Sequence, residues 1–286
     1  CGITGAVWSD QKQSIAPVVL TRMTDAISHR GPNDSQTWIS TSQRDAYGNA
    51  LGVALGFRRL SIIDLEGARQ PMSNEDGTVR LVFNGEIYNY RTLRRRLEGR
   101  GHQFVTDGDG EPILHLYEDH GADCFNHLNG MFAIGIWDAT RMRFVLARDR
   151  IGQKPLYYAV KNNRLVFGSE LKSLAAVNGV CEEIDPAAID EFLTYQYVPH
   201  PGTIWKGVRK LAPGHMAIYE DGKLTVHRYW NFDPSVEKPI DGETACERLR
   251  ELLTDSVKMR MQSDVPLGSF LSGGIDSSLI TAIANE

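Results

Sequence analysis

Apolar positions fall in short runs along most of the chain, and long helical stripes are few. Ile3–Trp8, Leu51–Arg58 and Val79–Phe83 read as buried strands, each ending at polar or glycine residues. Pro17 to His29 carries a helical pattern, and HRGPND after it reads as a turn. From Tyr90, RTLRRRLEGRG sets Leu93 and Leu97 four residues apart before a glycine stop, which predicts an amphipathic helix with a basic, solvated outer face. Pro112 suits the first turn of a helix over ILHLYEDH, closed by Gly121. MFAIGIWD, RFVLARD, PLYYAV and RLVFGS come next as strand-like runs separated by short turns. Asp185 and Pro186 open another helix, and MAIYEDGKLTVHRYW reads as a hairpin turning at Asp221-Gly222. Through Trp230 the pattern is that of antiparallel sheets with a few helices between them, an α+β arrangement.

The pattern changes at NFDPSVEKPIDGE, a proline-containing polar stretch suited to a linker. Leu249, Leu252, Leu253 and Val257 then form a helical stripe. VPLGSFL reads as a strand, SGGIDSS as a loop, and the residues after Ser278 as the start of another helix. One strand–loop–helix unit cannot cover both faces of a parallel sheet, so the expectation is that this second domain continues beyond the sequence in hand. The expected division is residues 1–232 as a first domain, 233–241 as linker and 242–286 as the N-terminal part of a second.

Composition narrows the function classes. With 286 residues, 42% hydrophobic and 23% charged, the chain has the make-up of a globular protein. A net charge of −5 speaks against nucleic acid as a partner, and no apolar run reaches the length of a membrane span. Cys1, Cys124, Cys181 and Cys246 lack CxxC spacing and read as reduced thiols, which predicts a cytoplasmic protein. His115 and His120 miss the HExxH spacing and are taken as ordinary residues.

Three stretches carry chemistry. The chain opens CGITGAVW, and an N-terminal cysteine offers a thiol nucleophile together with an α-amine able to act as its base. Gly2 would let the backbone pass close to a substrate. NGEIYN, at Asn84–Asn89, reads by itself as a turn after a strand, though an asparagine side chain and a glycine N–H are also suitable oxyanion donors. SGGIDSS, at Ser272–Ser278, combines two glycines, hydroxyls and a helix N-terminus, which together favour an anion such as a phosphate. It lacks the lysine and spacing of a Walker A loop.

Taken together and in this order, CGITGAVW, HRGPND, FRRLSIID, FNGEIYN, GMFAIGIWD, RDRIGQKPLYY and SGGIDSS resemble the glutamine-dependent asparagine synthetases. The resemblance covers nearly the whole chain. It implies an N-terminal-nucleophile hydrolase fold, an αββα sandwich of antiparallel sheets, followed by the start of an α/β pyrophosphate-loop domain. By resemblance Cys1 attacks the side-chain amide of glutamine, while Asn84 and Gly85 form the oxyanion hole. Arg59 is similar to the arginine that grips the α-carboxylate, and Glu86 and Asp109 match the acidic groups that take the α-ammonium. The family pattern T-x-S-D-T-E is here Thr106-Asp107-Gly108-Asp109-Gly110-Glu111, so Asp107 also comes into view, although the spacing to Thr106 and Glu111 favours Asp109. Leu271, Ser272, Gly273, Gly274, Asp276, Ser277 and Ser278 resemble the loop that holds the pyrophosphate of ATP, with Asp276 as the Mg2+ ligand.

The implied activity is glutamine hydrolysis coupled to ATP-dependent amidation of a carboxylate through an acyl-adenylate, with aspartate as acceptor and a homodimer as the assembly. Ammonia would pass between the two sites through an internal tunnel. Other readings are a relative that amidates a different carboxylate, a stand-alone glutaminase, and a non-catalytic module that docks on a partner synthetase.

Overall fold

In a computed structural model, the structure describes residues 1–44, 50–235 and 239–286. Twelve strands are present among these residues: β1 Gly2–Trp8, β2 Asp34–Arg44, β3 Ala50–Arg59, β4 Met72–Ser73, β5 Val79–Ile87, β6 Gly130–Asp138, β7 Arg143–Arg148, β8 Tyr157–Lys161, β9 Arg164–Gly168, β10 Val208–Lys210, β11 His215–Glu220 and β12 Lys223–Arg228. The α-helices are α1 Pro17–Asp25, α2 Tyr90–Glu98, α3 Glu111–His120, α4 Leu171–Ala175, α5 Pro186–Tyr195, α6 Gly242–Arg260 and α7 Ile275–Ala284.

The strands form two six-stranded antiparallel sheets, ordered β10-β8-β9-β1-β3-β2 and β12-β11-β7-β6-β5-β4. Alternation along each strand explains the layers. Ile3, Val7, Leu55 and Phe57 of the first sheet meet Val82, Trp137, Phe144 and Leu146 of the second in the central core. The opposite faces are covered too. Ala6, Trp8 and Ala54 pack with Leu20 and Met23 of α1 and Leu174 of α4, while Leu81, Phe83, Ile134 and Val145 pack with Leu93 and Leu97 of α2 and Ile113 and Leu116 of α3. Helix, sheet, sheet, helix is the predicted sandwich. Strands buried on both faces read as continuous apolar runs, which is why their sequences stand out.

Four sequence-based expectations change. Helix α1 ends at Asp25, and Ser28–Arg30 is a separate 3-10 turn leading to Gly31. NGE does not follow a strand: Asn84, Gly85 and Glu86 lie within β5, paired with Ala133, Phe132 and Met131 of β6. The turn propensity of Asn-Gly yields here to nine paired positions. Strand β2 went unpredicted, because an edge strand with polar residues in DSQTWIS has no apolar run to announce it. VPLGSFL is irregular, with Phe270 fully exposed, because no strand among the described residues supplies a ladder for it. Beyond it, α7 opens at Gly274, with Asp276 in its first turn. The expected linker includes 236–238, which lie outside the described residues.

Candidate active site

Strand phase assembles the pocket. Gly2 of β1 pairs with Arg58 of β3, so Cys1 comes beside Arg59, and both continue the inward-facing series Ile3, Leu55 and Phe57. Across the sandwich, Asn84 and Glu86 continue the series begun by Val82. These four residues therefore face one another where the two sheets end. Together with Gly85, Asp109, Lys154 and Gln70, they line a single pocket.

Cys1 is held at several points. Its α-amine donates to the Arg30 carbonyl at 2.9 Å, and Arg30 Nε donates back to the Cys1 carbonyl at 3.0 Å. The Leu60 N–H points at Sγ from 3.3 Å, a contact that favours negative charge on sulfur. Burial, with Arg30 and Lys154 adding positive potential against Glu86, pulls the amine pKa down to about 5. The amine is then unprotonated at neutral pH, as a base must be. Arg30 is itself fixed by Glu170 at 3.0 Å. At Gly2 a Cβ would face Ile27 and Arg30 at 3.0 and 3.2 Å. Its smallness serves the packing of the 27–30 turn.

Asn84 and Gly85 bring hydrogen-bond donors to the pocket wall. Asn84 is 2% exposed, and its Nδ2 is buried without a hydrogen-bond partner among the described residues. Such a donor is costly unless something comes to accept from it. Phe83 N–H donates to Gln70 Oε1 at 2.6 Å and Ile87 N–H to Asp109 Oδ2 at 2.8 Å, both on the edge of β5 away from β6. By strand alternation the Gly85 N–H lies between them and points to that same edge. A Cβ on Gly85 would stand 2.0 Å from the Met131 carbonyl, so β6 by itself demands glycine there.

Charge is arranged at either side of these donors. Arg59, buried at 6% exposure, donates to the backbone carbonyls of Ile63, Asp64 and Leu65, which fix its guanidinium in the pocket wall. Glu86 is partly buried, and desolvation raises its carboxyl pKa against the pull of Lys154 and the Cys1 amine. Asp109 is raised further, to about 7, by burial that outweighs the Ile87 N–H, with Glu86 adding to the rise. Two carboxylates this close and this dry are suited to a cation brought by a ligand. Asp107 is elsewhere: it is exposed and paired with Arg94 at 2.9 Å. Lys154, whose ammonium pKa burial lowers, lies in RDRIGQKPLYY without having been singled out. The visible signal was a lysine between two strand-like runs, which has no chemistry until the fold places it.

His102, His115 and Glu118 approach within 4.8 Å behind α3, outside the pocket. Direct pairing accounts for them: His115 Nδ1 meets Glu118 at 2.8 Å and His102 Nε2 meets Asp119 at 3.1 Å. Burial pulls the His115 pKa down, but Glu111 and Glu118 prevail and raise it to about 9. His115 is a buried cation in an acidic cluster.

Residues 271–278 lie apart from this pocket and, apart from the half-buried Ser277, are exposed. Gly273 has φ +83°, which only glycine adopts without strain, and Gly274 precedes α7. Ser272 Oγ and Ser277 Oγ stand 3.0 Å apart, Ser277 Oγ donates to the Gly274 carbonyl at 3.1 Å, and Asp276 sits in the first helical turn. Free N–H groups of that turn, a positive-φ glycine and flanking hydroxyls fit a phosphate group. Among the described residues, no helix is long and apolar enough to cross a membrane.

Comparison with known proteins agrees with both regions. Residues 1–230 match the glutamine amidotransferase domain family, and residues 248–286 match the asparagine synthase family. Two Bacillus subtilis proteins, glutamine-hydrolysing asparagine synthetases 3 and 1, are 39% and 40% identical over 99% and 100% of the chain. The chain spans 45% and 44% of their lengths, a little under half. Among solved structures, glutamine phosphoribosylpyrophosphate amidotransferase from B. subtilis superposes with a TM-score of 0.56 at 19% identity, over 100% of this chain and 64% of that one. At that identity the likeness concerns the fold alone, two stacked antiparallel sheets between layers of helix. With the sandwich, the cysteine-bearing pocket and these matches in agreement, the chain belongs to the glutamine amidotransferase domain family, with an asparagine synthase segment following it.

Proposed function

We propose that the pocket hydrolyses free glutamine to glutamate and ammonia, and that the ammonia serves ATP-dependent synthesis of asparagine from aspartate. The observation that carries this reading is convergence: Cys1, a buried unpartnered amide donor on Asn84, the fixed Arg59 and two carboxylates share one small pocket. The Cys1 amine takes the thiol proton, and Sγ adds to the side-chain carbonyl of glutamine. Asn84 Nδ2 and Gly85 N–H receive the oxyanion; one such donor is worth about 2.7–4 kcal/mol in the transition state. Collapse of the tetrahedral species breaks the C–N bond, and the protonated amine hands its proton to the departing ammonia. Water then adds to the thioester by the same base and releases glutamate.

Arg59 suits the α-carboxylate of the substrate, and Glu86 and Asp109 suit its α-ammonium. Leu271, Ser272, Gly273, Gly274, Asp276, Ser277 and Ser278 would hold the pyrophosphate of ATP, with Asp276 as the protein ligand to Mg2+; ATP would supply activation of the acceptor carboxylate as an acyl-adenylate. Residues 1–232 then act as the glutaminase and 242–286 belong to the synthetase part, joined by 233–241.

Hydrolysis of free glutamine, followed as glutamate release, tests the first half. The expected result is turnover that falls by at least about a thousandfold in Cys1→Ala and in a protein carrying one extra residue ahead of Cys1. An unchanged rate in Cys1→Ala removes the assignment. ATP–pyrophosphate exchange on the whole polypeptide, stimulated by aspartate and not by other carboxylic acids, tests the second half.

A further inference from the structure

Asp64 closes the FRRLSIID stretch and was given no role of its own from the sequence, yet both halves of the pocket hang on it. It has φ 50°, a left-handed conformation uncommon for a residue with a side chain. Such a conformation persists where its surroundings over-determine it. Its carbonyl is one of the three that hold the Arg59 guanidinium. Asp64 Oδ1 accepts from Gly67 N–H at 2.8 Å, and Oδ2 accepts from Asp107 N–H at 2.9 Å. Asp107 begins the short turn that ends on Asp109. One residue thus positions the Arg59 side of the pocket through its backbone and the Asp109 side through its carboxylate.

The remaining polar group of Asp64 is taken by the C-terminal segment. Its N–H donates to Asp264 Oδ2 at 2.7 Å, and the Asp264 N–H donates to the Ile62 carbonyl at 2.9 Å. The two contacts pin residues 62–64 to the connection between α6 and α7 as a short antiparallel pair would. The same region reaches the residue just after β5: Gln262 Nε2 donates to the Tyr88 carbonyl at 3.2 Å, and the guanidinium of Arg260, at the end of α6, lies 4.3 Å over the Tyr88 ring. Tyr88 is two residues past Glu86. Eight residues after Asp264 the chain enters the 272–278 loop.

We propose that Asp264 is a positioning residue for glutamine: latched to Asp64, it makes the affinity of the pocket depend on where the segment leading to the 272–278 loop sits. This rests on the glutamine-hydrolysing reading of the pocket. Linkage is reciprocal, so whatever moves the 260–264 segment on the synthetase side changes glutamine affinity, and bound glutamine holds that segment in return. The chemistry at sulfur is untouched, because Cys1 is held by Arg30 and the Leu60 N–H, and Asn84 and Gly85 by β5, not by residues 62–64.

The test uses the whole polypeptide with Asp264→Ala and Asp264→Asn. Removing one charge-assisted hydrogen bond should raise the glutamine KM in Asp264→Ala by roughly five- to tenfold. The expected turnover number stays within about twofold of wild type, and so does the rate of Cys1 alkylation by iodoacetamide. Asp264→Asn keeps an oxygen acceptor for the Asp64 N–H and should return KM close to wild type. An unchanged KM in Asp264→Ala overturns the proposal, and so does an Asn variant as impaired as the Ala variant. A parallel loss of turnover and thermal stability overturns it as well, since the residue is then merely structural. If wild type itself fails to hydrolyse glutamine, the functional reading falls and takes this inference with it; wild-type turnover with an indifferent Ala variant removes this inference alone.

Discussion

At the scale of single residues, the pocket depends on side chains held away from their ordinary protonation behaviour. The Cys1 amine, drawn down to about 5, is unprotonated above that pH, and in the proposed reaction protonating it stops turnover. Asp109, raised to about 7, becomes an anion only as pH rises through neutrality, and an arriving ammonium draws its pKa back down. The kcat/KM for glutamine is therefore expected to climb with pH through two limbs, near 5 and near 7. Asp109→Asn should abolish the limb near 7 and raise KM by about tenfold or more while leaving the limb near 5, as a pH series with both proteins would show. A retained limb near 7 in that variant assigns it to another group. Much of this was readable beforehand: Cys1, Arg59, Asn84, Gly85, Glu86 and Asp109 were each named from the sequence, and all six line the pocket. Asp64 and Lys154 were not. Asp64 acts partly through its carbonyl, a group every residue owns, and Lys154 gains meaning only by lying in this pocket.

At the scale of elements, β5 is the part on which the site turns. It carries Asn84, Gly85 and Glu86 inside a nine-residue ladder with β6, so the donors are fixed by backbone pairing and not by a loop. Gly85→Ala would drive a methyl group to 2.0 Å from the Met131 carbonyl. The expected cost is about 1–3 kcal/mol or more, seen as a lowered Tm in thermal unfolding, together with loss of glutamine turnover. A variant with wild-type Tm would mean that β6 yields more easily than its pairing suggests. Strand alternation with both faces covered made β1, β3, β6 and β7 plain in the sequence. The same rule was silent on β2, whose edge position requires no apolar run, and misleading at VPLGSFL, where apolar residues lack a neighbouring strand. Asn-Gly was misleading in the other direction, because local turn preference is weaker than a two-sided sheet.

At the scale of the whole molecule, the pocket and the 272–278 loop share no residue, and each carries its own chemistry. Gly273, at φ +83° with open space around it, separates them experimentally. Alanine there meets no neighbour, and its cost of about 1 kcal/mol is local backbone strain in the loop. Gly273→Ala should thus depress ATP–pyrophosphate exchange by tenfold or more, on the order of one displaced phosphate contact, and leave glutamine hydrolysis within about twofold. Equal loss of both activities would show that the loop and the pocket are not independent at this position.

The pair of acidic side chains beside the Ile87 N–H has a bearing on everything else in the cell. A glutamine residue inside a polypeptide has its nitrogen tied up as an amide, so it brings no cation to satisfy Glu86 and Asp109, and its neighbouring chain would have to enter where Arg59 awaits a free carboxylate. Such a guest forgoes the charge-assisted hydrogen bonds that an ammonium would make to these carboxylates, a loss of about 1.5–3 kcal/mol for each. In the proposed reaction, a nitrogen-harvesting thiol thereby works amid a vast excess of protein-bound glutamine and leaves the proteome undeamidated.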